Sequence, residues 1–205
     1  MSSFGLLFIG AVLLANGLVL VGRIEARAAA PINALVGFLL VGVTLWLALP
    51  ERDLTVAAHQ DRVISAAGFL LFALTYLWVA FNAWTGHPTD GLGWYCGWAA
   101  IVSVFFAVVS FERLHDTKES LLWVLWAVLF AAFFTLLALG QKRIGVAAGW
   151  LAIMEAAVTT TVPGALLLLG RWTTLDTAWV AVATIVTIAV FAIRVLGVRR
   201  RRVGE

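Results

Sequence analysis

The chain has little charge and a single cysteine, and both shortages restrict what it can be. Only 12% of its 205 residues are charged, whereas 63% are hydrophobic and the mean hydropathy is +1.02. Soluble domains have about 25% charged and about 45–50% apolar residues, so this composition excludes an ordinary soluble domain. Cys96 is the one cysteine, which excludes an intrachain disulfide.

Long apolar runs account for most of the sequence. A helix needs about 20 apolar residues to cross the hydrocarbon core of a bilayer. We identify candidate spans at residues 4–22, 31–49, 63–84, 91–111, 120–139, 146–169 and 175–196. They predict an all-α polytopic membrane protein, a bundle of about seven transmembrane helices built from three helical hairpins plus a C-terminal helix. No linker interrupts them, so residues 1–205 are predicted to form a single transmembrane domain.

Lysine and arginine are unevenly distributed between alternate loops. With the N-terminus outside, nine would lie inside: Arg23, Arg27, Lys142, Arg143, Arg194, Arg199, Arg200, Arg201 and Arg202. Five would lie outside: Arg52, Arg62, Arg113, Lys118 and Arg171. The positive-inside rule therefore predicts an outside N-terminus and a cytoplasmic C-terminus. A basic run beside a span marks topology more often than nucleic-acid binding, so no nucleic-acid partner is predicted.

Glu155 is the one carboxylate deep inside an apolar run. A charge near the bilayer centre costs roughly 2.5–3.5 kcal/mol, so such residues usually face a pathway or a partner. Pro163 lacks an N–H group and is expected to leave the Thr159 carbonyl without its helical donor. Glu155 and Thr159 share one helix face, which predicts a stripe of acceptors for a solute that donates N–H groups. Alternatively, Thr159 to Thr161 repair the kink and Glu155 is protonated against a neighbouring helix.

Aromatic residues are placed at helical spacing in the fifth span. Trp123, Trp126 and Phe130 share one face, and Tyr76 and Trp78 lie deep in the third span. Rings that face each other across a bundle can form a flat slot that passes planar solutes and obstructs hydrated ions. Core packing or lipid contact is the alternative interpretation of the same pattern.

Other kinds of chemistry have little support in the sequence. His59, His87 and His115 all fall in predicted loops and lack the spacing of a metal site. Nucleotide-binding and hydrolase motifs are absent from the sequence. We therefore predict no enzyme activity, no metal and no cofactor. Asn16 in the first span has two open interpretations, a hydrogen bond between helices or the lining of a pore.

Several segments together resemble the AmiS/UreI family of small-amide transporters and urea channels. GLLFIGAVLLANG resembles its first helix, INALVGFL its second, LTYLWVAFNAWTG and GWYCGW its third and fourth, and LLWVLWAVLF and GWLAIMEAAVTTTVPGALLL its last pair. The similarity follows the family's order over about residues 4–170. The chain is more similar to the amide-transport branch, because the urea channel ends after its sixth helix.

The resemblance implies a six-helix channel core at about 4–170, an extra C-terminal helix at about 175–196 and a basic cytoplasmic tail at 197–205. It implies a homo-hexamer in the lipid bilayer of the bacterial inner membrane, in which each protomer has its own pore for urea or short aliphatic amides. A functional link to a cytosolic amidase is also implied, because genes of this branch accompany amidases.

The resemblance also assigns pore positions, residue by residue. Glu155 corresponds to the pore carboxylate. Trp126 and Phe130 correspond to aromatic constriction residues, and Trp123 matches a further tryptophan of that helix. Leu74 and Trp78 stand where the urea channel has Phe and Tyr. Leu13, Asn16 and Asn82 match other shared positions.

Together these features predict a passive membrane channel for small neutral amides and urea. A proton-coupled amide transporter, an acid-gated urea channel and a scaffold that docks an amidase are the alternatives. Acid gating is doubtful because the predicted outer loops hold only His59 and His115.

Overall fold

The computed structural model describes residues 3–49 and 57–200, and within these ranges every regular element is a helix. Seven stretches in them are long and apolar enough to cross a membrane: Ser3–Leu20, Ala26–Ala48, Ala58–Thr85, Asp90–Glu112, Thr117–Leu137, Lys142–Leu168 and Thr177–Gly197. The predicted fold class and the predicted spans are confirmed. Part of the predicted loop from Pro50 to Arg62, and Arg201 and Arg202 of the basic tail, lie outside the described residues.

The helices are continuous in every span except the sixth. The continuous ones are α1 (Ser3–Leu20), α2 (Ala26–Ala48), α3 (Ala57–Thr85), α4 (Asp90–Glu112), α5 (Thr117–Leu137) and α8 (Thr177–Arg200). The sixth span consists of a 3-10 turn (Lys142–Ile144), α6 (Gly145–Glu155), a π-helical turn (Ala156–Thr161) and α7 (Val162–Leu168). The interruption follows directly after Glu155.

Local chemistry accounts for several helix ends. The Asp116 carboxylate accepts a 2.9 Å hydrogen bond from the Glu119 N–H and so caps α5. Gly22 and Gly86 have positive φ angles of 76° and 73° just beyond α1 and α3. Glycine adopts this conformation without steric cost and commonly ends a helix. These turns let successive spans reverse direction over short connections.

Glycines set where helices approach most closely. A Cβ atom on Gly37 of α2 would lie 2.7 Å from Leu77 Cγ of α3. One on Gly97 of α4 would lie 2.9 Å from the Phe134 ring of α5. Small residues permit such contact in lipid, where the hydrophobic effect does not drive helices together. The most extensive helix pairs are accordingly α2 with α3 and α4 with α5.

The remaining close pair is α1 with the sixth span. A Cβ on Gly17 would lie 2.8 Å from the Gly149 carbonyl oxygen, and one on Gly164 would lie 2.9 Å from the Leu7 nitrogen. Two of the three close pairs, α2 with α3 and α4 with α5, join helices that are adjacent in sequence, whereas α1 pairs with the distant sixth span. The adjacent helices α3 and α4 contact each other far less than α2 and α3 do, so adjacency in sequence does not by itself produce a close pair.

The last helix lies against the outside of this arrangement. α8 packs along α5 and α6 and is the least buried of the described spans. Its Arg194 guanidinium lies 4.7 Å from the centre of the Trp150 ring, a cation–π contact that joins α8 to α6.

Candidate functional site

A cavity of about 280 Å³ lies between α1, α2, α3, α4 and α5, toward the end of the bundle where α1 finishes and α2 begins. We call it the wide cavity. Its walls are largely apolar, and they include Leu13, Asn16, Tyr76, Asn82 and Phe130. Leu13, Asn16, Asn82 and Phe130 are pore positions that the resemblance assigns, and Tyr76 is a candidate ring of the predicted aromatic slot.

A second cavity, of about 10 Å³, lies toward the opposite end of the same helices. This small cavity is lined by Leu6, Ile9, Ser65, Gly68, Phe69, Phe72, Trp123 and Trp126. In α1 and α5 its lining residues precede those of the wide cavity, and in α3 the two sets meet at Phe72, which lines both. The two cavities therefore follow one another along the bundle.

Five buried rings stand between the two cavities, namely Phe72, Tyr76, Trp123, Trp126 and Phe130; we call them the aromatic cluster. Each is at most 3% exposed. The Phe72 ring centre lies 4.9 Å from that of Trp126, edge-on, and 5.6 Å from that of Phe130. Trp123 and Trp126 also meet edge to face at 4.7 Å. These are favourable aromatic geometries that fill the space between the cavities.

Glu155 lies at the level of this cluster. A Cβ on Gly10 would contact Ala156, Thr160 and Thr161, and one on Gly17 would contact Gly149 and Ile153. Glu155 is therefore level with the part of α1 between Gly10 and Gly17, where the wide cavity and the small cavity adjoin. The side chain is 0% exposed, and both carboxyl oxygens are without a hydrogen-bond partner among the described residues.

The turn after Glu155 is held by hydroxyl groups. Trp126 Nε1 donates to Thr159 Oγ1 at 2.9 Å, and Thr159 Oγ1 donates to the Glu155 carbonyl at 2.7 Å. Thr160 Oγ1 donates to the Ala156 carbonyl at 2.6 Å. Single π-helical turns inside α-helices are frequent at functional sites. The chain thereby couples a ring of the aromatic cluster to the backbone of the buried carboxylate.

Pro163 was expected to free one main-chain carbonyl, but the change in the sixth span is larger than that. The backbone widens into the π-helical turn before the proline, and the Val162 N–H bonds to the Ala157 carbonyl five residues back. The hydroxyls of Thr159 and Thr160 bond to the Glu155 and Ala156 carbonyls of the preceding turn and not to the Thr159 carbonyl.

The structure brings most of the predicted site residues together. Leu13, Asn16, Asn82 and Phe130 line the wide cavity, while Trp123 and Trp126 line the small cavity. Thr159 adjoins the aromatic cluster through the Trp126 hydrogen bond and donates to the Glu155 main-chain carbonyl, and neither Glu155 nor Thr159 lines either cavity. The participation of these residues in transport stays a prediction.

Leu74 and Trp78 lie apart from this group. They are 46% and 37% exposed on the outward side of α3, and neither lines the wide cavity or the small cavity. Two residues along an α-helix turn the side chain by about 200°, so Phe72 and Tyr76 face the interior instead. The spacing of apolar residues does not separate the two faces, because Leu74, Trp78 and Phe81 repeat at helical intervals just as Phe69, Phe72 and Tyr76 do.

Asn33 is a further buried polar residue that the sequence analysis did not identify. Its side chain exchanges two hydrogen bonds with Asn16, Asn16 Nδ2 to Asn33 Oδ1 at 3.0 Å and Asn33 Nδ2 to Asn16 Oδ1 at 2.8 Å. Asn33 Nδ2 also donates to the Ala29 carbonyl at 2.9 Å. Asn16 thus both joins α1 to α2 and lines the wide cavity, so the two interpretations open from the sequence are compatible.

Comparisons with known proteins agree with this architecture. The model of the AmiS/UreI family transporter matches residues 1–171, a range that ends before α8. The chain is 38% identical over 174 residues to a protein of Mycolicibacterium smegmatis named as a transporter of amidate substrates, covering 85% of this chain and 79% of that protein. It is 29% identical over 190 residues to the acid-activated urea channel of Helicobacter pylori, covering 82% and 97%.

A solved structure shares the same fold. The crystal structure of the urea channel from Helicobacter pylori superposes with a TM-score of 0.73 at 27% sequence identity, and the match covers 84% of this chain and 99% of that one. The relatives are named as a transporter and a channel, which confirms that the chain is a multi-pass transport protein rather than an enzyme.

Proposed function

The chain belongs to the AmiS/UreI transporter family, and from this premise we propose that it is a passive channel for small neutral amides and urea. Each protomer carries its own pathway, which runs from the wide cavity past the aromatic cluster to the small cavity. The observation that carries the proposal is the succession of two cavities with five buried rings between them. The solute moves down its concentration gradient, with no cofactor.

The apolar walls favour neutral solutes. An ion that entered the aromatic cluster would have to lose its hydration where few ligands replace the water. A neutral planar amide or urea loses less, because its faces are apolar enough to pass between rings and only its edges form hydrogen bonds. Displacement of ring side chains by such a solute opens the route.

Glu155 is the proposed polar binding site within the pathway. Its buried carboxyl oxygens can accept hydrogen bonds from the N–H groups of an amide or urea. The bond from Trp126 to Thr159 holds the neighbouring ring in register with this carboxylate. Leu13, Asn16 and Phe130 guide the solute from the wide cavity. Leu74 and Trp78 act from the outer surface of the protomer, where they can contact lipid or another copy.

A proton-coupled amide transporter is the second candidate, and one observation favours it. A buried carboxyl group without a protein partner can take up and release a proton during a transport cycle. Uphill accumulation of amide that collapses with the proton gradient would establish this mechanism in place of passive flux.

We further propose one transmembrane domain that assembles as a homo-hexamer in the bacterial inner membrane, with the N-terminus outside and the C-terminus in the cytoplasm. The charge distribution supports the orientation, since nine of the fourteen lysines and arginines would then lie inside. Exposed apolar side chains along α4, including Trp94, Ile101 and Phe105, supply surface for contact between protomers or with lipid. A functional link to a cytosolic amidase remains part of the proposal.

Stopped-flow light scattering on proteoliposomes tests the passive channel. Swelling is followed after inward gradients of acetamide or urea, without a proton gradient, at neutral and at acid pH. Rapid entry above the rate of empty liposomes at both pH values is expected. Entry only at acid pH would indicate acid gating, and no entry at either pH would overturn the proposal.

Glu155→Gln tests the pore carboxylate. The amide keeps the shape and one acceptor but loses the second, so flux should fall while assembly persists. Glu112→Gln, an exposed residue at the end of α4, is the matched control and should leave flux unchanged. Unchanged flux in Glu155→Gln combined with misfolding of Glu155→Ala would assign Glu155 a structural role only.

A further inference from the structure

Asn82 lines the wide cavity with two unpartnered polar side-chain atoms, and the Tyr76 hydroxyl of the same cavity is also unpartnered among the described residues. Asn82 lies in the last turns of α3 and is only 8% exposed. Neither its amide nitrogen nor its amide oxygen has a hydrogen-bond partner among the described residues. Buried polar groups in native proteins almost always have partners, so a carboxamide with both ends free requires an explanation.

The same cavity shows what an asparagine carboxamide does when a partner is present. Asn16 and Asn33 form a reciprocal pair in which each side chain donates one N–H and accepts one, at 3.0 Å and 2.8 Å. This pairing needs only a carbonyl oxygen and an N–H on the same side of a planar group. Primary amides and urea present that arrangement.

We propose that Asn82 is a specificity-determining residue, and that its carboxamide pairs reciprocally with the primary carboxamide of the solute, as Asn16 pairs with Asn33. This inference rests on the proposed function and adds a recognition mode to it. The largely apolar walls give a solute few other groups to replace its lost water, so two hydrogen bonds from Asn82 lower the barrier to entry.

Reciprocal pairing selects by chemistry rather than by size. In a primary amide, one N–H lies on the carbonyl side and can complete the pair. In an N-methyl amide the methyl group takes that place in the stable trans form, so only one hydrogen bond to Asn82 remains. Asn82 should therefore favour primary amides and urea over N-substituted amides of equal volume.

A solute that entered from the wide cavity would bind to Asn82 before it reached the aromatic cluster. Asn82 lies six residues beyond Tyr76 on α3, which is about 9 Å along the helix axis. Tyr76 belongs to the aromatic cluster, so a solute on Asn82 waits inside the wide cavity, about one molecular length from the rings. Recognition of the amide group and passage between the rings are then separate events.

Two isomeric solutes test this inference. Propionamide and N-methylacetamide have the same formula and nearly the same volume, but only propionamide is a primary amide. Their entry into proteoliposomes is measured by light scattering, with empty liposomes subtracted, for the wild type and Asn82→Leu. Loss of one hydrogen bond predicts that the wild type favours propionamide by about three- to tenfold, and Asn82→Leu should reduce that ratio toward one.

Two further variants control for packing. Asn82→Gln keeps the carboxamide and should retain a preference for propionamide. Thr44→Val removes a buried hydroxyl in the same α2–α3 pair, where it bonds to the Leu40 carbonyl, and Thr44 lines neither cavity. This variant should keep the wild-type ratio. Size-exclusion chromatography in detergent reports assembly of each variant.

The outcomes separate this inference from the proposed function. Equal entry of the two isomers in the wild type would overturn it without any variant, and so would an unchanged ratio in Asn82→Leu. In both cases amide flux itself would leave the passive channel standing. Failure of the wild type to pass any amide would overturn the proposed function and the inference together.

Discussion

The wide cavity and the small cavity share α1, α3 and α5 as walls, yet they differ in volume by more than an order of magnitude, about 280 Å³ against about 10 Å³. They also differ in chemistry. The wide cavity contains two asparagines and the Tyr76 hydroxyl, while Ser65 supplies the hydroxyl of the small cavity. The aromatic cluster therefore separates two unequal spaces. Under the proposed function, a solute would be recognised on the wide side and would meet most resistance on the narrow side.

The size of the lining side chains accounts for the difference in volume between the two cavities. Around the small cavity, Leu6, Ile9 and Phe69 project inward, and the Trp123 ring occupies the space beside Gly68. Around the wide cavity, α2 contributes Ala26 and Ala29, whose short side chains leave volume unfilled. Four substitutions should reduce or increase the difference between the two cavities.

Phe72→Ala should have the largest effect on selectivity between amides and on stability, because Phe72 lines both cavities. Its removal would join them, so butyramide entry should rise more than acetamide entry. Truncation of a buried phenylalanine costs about 3–5 kcal/mol of stability, measured by thermal unfolding in detergent. Phe105→Ala, in a side chain 60% exposed on α4, is the control. Unaltered discrimination between the two amides in Phe72→Ala would show that the cluster does not limit passage.

Asn16→Leu should have the second largest effect on stability, and the change should be confined to the wide cavity. It leaves the buried Asn33 carboxamide without its reciprocal partner, a loss of about 1–3 kcal/mol in the free energy of unfolding. Replacement of both asparagines by leucine should recover part of that loss, because no buried group is then left unpaired. A double variant less stable than Asn16→Leu would contradict this account.

Thr159→Val acts at the boundary between the cavities. Valine keeps the shape of threonine but cannot accept the Trp126 N–H, so about 1–2 kcal/mol of stability should be lost. Thr159→Ser retains the hydroxyl and should lie close to the wild type in both thermal unfolding and acetamide flux. Equal flux in the valine and serine variants would indicate that the hydrogen bond does not position the ring.

Gly68→Ala should have the smallest effect on stability and would sharpen the contrast. The new Cβ would lie 2.9 Å from Trp123 Cζ2, which narrows the small cavity further. Strain and improved helix propensity oppose each other, so the net change in unfolding free energy should be about 1 kcal/mol or less. Acetamide flux should nevertheless fall. Gly42→Ala, with open space around it, should leave flux unchanged.

The sequence predicted the spans well because each is marked by a long apolar run with charged or glycine-rich ends. It predicted the inward face of α3 poorly. Residues 69–81 of that helix are nearly all apolar or aromatic, so no polar side distinguishes Leu74 and Trp78 from Phe72 and Tyr76. Leu74 and Trp78 each lie two positions after a buried ring, and two residues turn a side chain to the opposite face of an α-helix.

Other parts of the site depend on contacts between distant segments. The Asn16–Asn33 pair joins two helices, and neither residue alone indicates the other. Pro163 indicated a disturbance of the sixth span, but the π-helical turn also depends on threonine hydroxyls and on the Trp126 side chain of another helix. The burial of Glu155 was predictable because it is a carboxylate deep inside an apolar run, and its part in transport stays a prediction.

The π-helical turn at Ala156–Thr161 also has a genetic consequence. A turn closed by five-residue rather than four-residue hydrogen bonds holds one more residue than an α-helical turn. Deletion of a single codon there would restore a regular α-helix and leave α7 close to its present orientation, because the wider turn already accommodates the extra residue. Gly164 would then keep its close contact with the α1 backbone at Leu7. Deletion of one codon within the continuous helix α1 would instead rotate the residues that follow by about 100°. The reading frame of this gene should therefore tolerate the loss of one codon in the turn better than the loss of one codon within α1.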